Sequence, residues 1–105
     1  MVKEVYWTNF AKKELKKIFE YYKENANQEF AETLTTNIVQ ETVKLKKHPL
    51  LGQEEELLTD RPQDFRYLLY KNYKIIYWIN SVKNRIEISD IFDCRQNPEK
   101  LGRNK

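Results

Sequence analysis

The stretch RYLLYKNYKIIYWI, residues 66–79, decides how this chain folds. Its β-branched and aromatic residues favour extended backbone, and Lys71-Asn72 supplies a tight turn between two apolar runs. It reads as two strands, 66–70 and 73–79, joined as an antiparallel hairpin. The second run is apolar on both faces, so it is expected inside a sheet. Alternation sets Lys74, Ile76 and Trp78 on one face and Tyr73, Ile75 and Tyr77 on the other. The lysine has two explanations of equal weight. Either it snorkels toward the sheet edge, or it stands on an open face and meets phosphate or carboxylate.

The texture differs on either side. Downstream, residues 80–84 form a turn and residues 85–92 read as a third strand. Upstream, residues 49–64 form an acidic loop punctuated by Pro49, Gly52 and Pro62. Before the loop, Phe30, Ala31, Leu34, Ile38 and Leu45 recur at helical spacing, and Pro49 ends that helix by disfavouring helical geometry at His48. An earlier stripe of Ala11, Leu15, Ile18 and Tyr22 marks another helix, capped by Thr8 or Asn9. Asn25-Ala26-Asn27 joins the two as a hairpin. Residues 2–7 read as an opening strand. The fold expected is α+β, in the order β-α-α-β-β-β. The helical hairpin packs on one face of a small antiparallel sheet and leaves the other open to bind.

A chain of 105 residues is one domain, 1–105, and a hydrophobic fraction of 40% supports one modest core. Interleaved charges indicate a solvated folded surface. A single cysteine excludes an internal disulfide and points to a reducing cytosol. The N-terminus lacks the apolar core of a signal peptide, and no apolar run approaches the ~20 residues of a membrane span. A cytoplasmic chain without a membrane partner is expected. Charge is unevenly spread: residues 49–64 carry 1 basic and 5 acidic side chains, residues 65–105 carry 9 basic and 4 acidic. The basic, aromatic C-terminal part suits RNA or an acidic protein, but on charge alone a solvated sheet face is the favoured reading.

Familiar catalytic signatures are missing. His48 is distant from Cys94 and reads as a capping or surface residue. Cys94 reads as a small buried hydrophobe. One histidine and one cysteine cannot make a dedicated zinc site, and two glycines cannot make a phosphate loop, so no metal or cofactor is expected. Glu54-Glu55-Glu56 reads as a solvated loop rather than a cation site. What remains is a set of cations on or beside strands: Arg66, Lys74, Arg85 and Arg95. Arg95 either recognises an anion with its planar fork or pairs with Asp93 or Asp90. Arg66 either contacts a ligand or pairs with Asp60 or Asp64. Trp7, Phe10, Tyr67 and Trp78 read as core, with an apolar groove as the alternative.

Four segments together resemble the RelE/ParE toxin superfamily, which includes plasmid-stabilisation proteins. They are Val5-Tyr6-Trp7-Thr8 with Ala11, Leu15, Ile18 and Tyr22; Leu45 with Pro49 and Gly52; Arg66 with Tyr73-Lys74-Ile75-Ile76-Tyr77; and Asp93 to Pro98. The resemblance implies a bacterial growth-inhibiting toxin neutralised by a cognate antitoxin, whose complex binds promoter DNA mainly through the antitoxin. RelE-like members are ribosome-dependent endoribonucleases that cut messenger RNA. For that activity the resemblance assigns catalytic roles to Lys74, Arg95 and Arg66, which would stabilise phosphate while another group moves protons. The tail Gln96-Asn97-Pro98-Glu99-Lys100-Leu101-Gly102 lacks the tyrosine or histidine common near the C-terminus of such nucleases. That departure favours ParE-like inhibition of DNA gyrase, which needs no hydrolytic centre. A non-toxic interaction module is the third reading.

Overall fold

The computed structural model describes residues 3–95. A short strand, β1 (Glu4–Trp7), leads into α1 (Asn9–Asn25) and α2 (Gln28–Val43). Thr8 begins α1: its hydroxyl accepts the Ala11 N–H at 3.1 Å and donates to the Ile88 carbonyl at 3.0 Å. One side chain thereby caps the helix and fixes it to the sheet. Asn27 caps α2 by accepting the Phe30 N–H at 2.7 Å. After α2 a turn of 3-10 helix spans Lys44–Lys46. A two-residue strand, β2 (Gln53–Glu54), precedes another 3-10 turn at Glu56–Leu58. The hairpin read from residues 66–79 follows as β3 (Arg66–Tyr70) and β4 (Tyr73–Asn80), and then comes β5 (Arg85–Asp93).

The fold is α+β, with two helices packed on one sheet of order β1-β5-β4-β3-β2. Strands β2 to β5 are antiparallel neighbours, as their short connections require. The sheet is mixed, however, because β1 lies parallel to β5, with Val5 opposite Ile86 and Trp7 opposite Ile88. The connection that this parallel pair needs is residues 8–84, which take in the helical hairpin and strands β2 to β4.

The helix-facing core contains Leu34, Ile38, Leu68, Ile75, Tyr77, Ile86, Ile88 and Ile91. Its composition depends on a bulge. Ile76 pairs with Asp90 while Tyr77 pairs with Ile88, so Ser89 is left over. Strict alternation would point Ile91 away from Ile86 and Ile88. The extra residue resets the parity, so that all three face the helices and Phe92 faces the other way.

The opposite face is not open throughout. Leu58 from the acidic segment and Phe65 just after it pack there against Ile76, Phe92 and Tyr67 as a second cluster. The segment is half solvated and half lid-like, because Leu58 and the adjoining Phe65 have an apolar strip to cover. Trp78 belongs to neither cluster, whereas Trp7 packs on the first and Tyr67 on the second. Cys94 is exposed and not buried, since the chain has already turned off β5; its N–H donates to the Asn72 carbonyl at 2.8 Å.

Candidate functional site

The cations singled out on the strands lie in different surroundings. Lys74 stands on the face away from the helices, as alternation requires. Its Nζ donates to Glu55 at 2.7 and 3.2 Å and sits 4.4 Å from the centre of the Tyr67 ring. Glu55 is 3% exposed, although its neighbours Glu54 and Glu56 face solvent. A carboxylate so withdrawn from water requires a counter-charge, and Lys74 is that charge.

Arg66 pairs with Tyr77 across β3 and β4 and therefore lies on the helix side. It donates through Nη1 to the Gly52 carbonyl at 3.0 Å, and its Nη2 lies 3.3 Å from Asp64. Its Nε is buried without a partner among the described residues. Beside it the Tyr77 hydroxyl donates to the Pro49 carbonyl and accepts the Gly52 N–H, both at 2.8 Å. Burial raises the Tyr77 pKa, against the pull of the Gly52 N–H and Arg66. Gly52 is obligatory here: a Cβ would lie 2.6 Å from the tyrosine hydroxyl and 2.7 Å from the Tyr67 carbonyl. These contacts make Arg66 and Tyr77 the fastening of the 49–52 turn.

Arg95 lies past the end of β5, in a cleft of ≈ 330 Å³ between α1 and the strand ends. It grips Asp93 through Nε at 3.1 Å and Nη2 at 2.8 Å. Those hydrogen bonds outweigh partial burial and hold the Asp93 carboxyl at about 2, and they raise the arginine in turn. Tyr73 in the same cleft is raised by burial and then by its hydrogen bond with Tyr22.

The structure thus does not bring Lys74, Arg66 and Arg95 together. They occupy the open face, the fastening of the turn and the helix-side cleft, each with a partner of its own. Arg85 shows a fourth arrangement: its guanidinium lies 3.8 Å from the Tyr6 ring centre and donates through Nε to Glu87 at 2.9 Å. Asn80 donates to the same Glu87 oxygen. Burial alone would raise Glu87, but the bonds from Asn80 and Arg85 leave it lowered. Sequence reading set Glu55 in a solvated loop, whereas it is buried against Lys74, and it passed over the Tyr77 hydroxyl. Leu57-Leu58 beside the glutamates was a signal that one of them would be carried inward.

Among the described residues no cluster of three or more His, Cys, Asp or Glu could hold a metal ion, so Glu54 to Glu56 do not converge. No helix among them is long and apolar enough to cross a membrane. The tail from Gln96 onward, where the expected nuclease residue is missing, lies outside the described residues.

A family model described as the ParE toxin of type II toxin–antitoxin system, parDE, matches residues 5–98. The chain belongs to the ParE toxin family. No curated protein matches its sequence. Among solved structures, a chain of the chromosomal ParDE toxin–antitoxin system from P. aeruginosa is similar, at 19% identity and a TM-score of 0.72. The match covers 88% of this chain and 96% of that one, and it shows a shared fold. The ParE family match takes in β1 from Val5 on, both helices and the whole β3–β5 meander.

Proposed function

We propose that this ParE-family toxin arrests growth by binding DNA gyrase, in the cytoplasm of a bacterium, and is held silent by a cognate antitoxin. The antitoxin complex would supply the promoter-DNA contact. The supporting observation is the internal pairing of the cations that phosphate chemistry would call on. Lys74 is committed to Glu55, Arg66 to Gly52 and Asp64, and Arg95 to Asp93. Inhibition by binding requires none of them to be released. Messenger RNA cleavage requires at least one to exchange a carboxylate for phosphate.

Two measurements test this. The purified chain should block negative supercoiling by gyrase, and a Lys74→Gln/Glu55→Gln/Arg95→Gln variant, which removes both cationic charges without stranding the buried Glu55 carboxylate, should block it equally. Messenger RNA 5′ ends mapped after induction should show no new ends phased to codons. Codon-phased ends that vanish in the variant would replace this proposal with a ribosome-dependent endoribonuclease. Absence of any arrest on induction would replace it with the non-toxic interaction module.

A further inference from the structure

Leu50 and Leu51 are 65% and 51% exposed, yet the backbone that carries them is held on both sides. Tyr77, wholly buried, binds the Pro49 carbonyl and the Gly52 N–H, and Arg66 adds a bond to the Gly52 carbonyl. The Leu51 N–H donates to His48, and the His48 N–H to Lys44, each at 3.1 Å. The turn therefore runs without slack from the end of α2. Its leucines stand in solvent at fixed positions, so much of the entropy that a docking loop loses on binding has been removed in advance.

Just upstream in the chain lies a hollow of ≈ 560 Å³ lined by Val43, itself 43% exposed, by Lys44, Lys46, Lys47 and His48, and on α2 by Gln40 and Glu41. Lys44 pairs with Glu41 at 3.1 Å. Lys46 and Lys47 are exposed and form no ion pair among the described residues. Positive charge suits a helix C-terminus, which accounts for the lysines but not for solvent leucines beside them.

We propose that this face docks an acidic, amphipathic segment of a partner protein. One apolar side chain of that segment fills the hollow against Val43, others rest on Leu50 and Leu51, and its carboxylates meet Lys46 and Lys47. Nucleic acid fits less well. Residues 43–52 contain no arginine fork and no tyrosine, phenylalanine or tryptophan on which bases stack. A lipid surface fits less well too, because the apolar floor is concave. The surface is independent of the gyrase proposal, and failure of either leaves the other standing.

The test is selection of random phage-displayed peptides on the full chain. Lys46→Glu/Lys47→Glu and Leu50→Ser/Leu51→Ser serve as counter-targets, each checked for an unchanged circular dichroism spectrum. The expected pool is rich in Asp and Glu spaced with Leu, Ile or Phe, and either pair of changes lowers its retention roughly tenfold. A pool that is neutral or basic, one that both variants retain fully, or no enrichment at all overturns the proposal. Binding to phosphatidylserine vesicles or to a single-stranded oligonucleotide that the same changes abolish overturns it as well. So does self-association through this face in sedimentation.

Discussion

Replacing Tyr77 by phenylalanine removes one oxygen atom and two of the three side-chain bonds that fasten residues 49–52 to the sheet, leaving the one from Arg66 to the Gly52 carbonyl. The ring stays, so no cavity of consequence opens and the transfer term is unchanged. What is lost is the bond to the Pro49 carbonyl and the bond from Gly52, both at 2.8 Å, with the hydroxyl wholly buried. Each bond contributes about 1 kcal/mol net, and the buried Gly52 N–H left without an acceptor adds about 1 kcal/mol more, giving about 3 kcal/mol in all. A domain of this size has a total stability of about 5–10 kcal/mol, so the variant should remain folded but lose about 10–20 °C of melting temperature. Urea unfolding followed by circular dichroism reads the loss as a lower midpoint at unchanged slope. Amide exchange at Leu51 and Gly52 should rise more than exchange in β4. A loss below about 0.5 kcal/mol, within the range of ordinary surface changes, would show that the hydroxyl is not the fastening.

Three other perturbations have defined signs. Lys71 opens the β3–β4 turn at φ 54, a left-handed backbone that strains a side chain, so Lys71→Gly should raise stability by about 1 kcal/mol in urea titration. Thr8→Ala removes the cap of α1 and the bond to Ile88, and should cost about 1–2 kcal/mol by the same assay. Asp93 has a carboxyl held at about 2, below its ordinary 3.8, by Arg95 and Asn72. A depressed carboxyl stabilises the fold above the unfolded value and loses that contribution as pH falls through the folded one. Wild type should therefore lose about 1 kcal/mol relative to Asp93→Asn between pH 4 and pH 2, an allowance made for solvent screening of the exposed arginine. Parallel curves across that window would remove the pair from the stability account.

Much of the architecture was legible because its elements carry clean periods. Ala11, Leu15, Ile18 and Tyr22 repeat at helical spacing, and residues 66–79 hold two β-prone runs parted by Lys71-Asn72, so both helices and the central hairpin follow from local sequence. The placement of Lys74 opposite Tyr73 and Ile75 followed from the same alternation. Three features were not legible, and each depends on distant residues. The parallel pairing of β1 has no local signal, because nothing within Glu4–Trp7 specifies which strand it meets. The bulge at Ser89 hides inside an ordinary strand sequence and is enforced only by the need to bury Ile86, Ile88 and Ile91 together. The inward turn of Glu55 is set by Leu58 and Phe65 finding an apolar strip across the sheet. For Arg66 and Arg95 the acidic partners were foreseeable, since Asp64 and Asp93 lie within two residues of each.

The parallel pairing of β1 with β5 sets a constraint on the order in which the chain can be completed. β1 has one neighbour in the sheet, and that neighbour spans Arg85–Asp93. During synthesis the opening strand and the helices it precedes emerge long before the strand that gives them a place. Until then Val5, Trp7 and the inner stripe of α1 have no sheet to cover them, and closing so long a loop is slow. A partially made chain therefore displays the apolar surface of the toxin without its finished sheet. The sheet is complete only when β5 slots between β1 and β4.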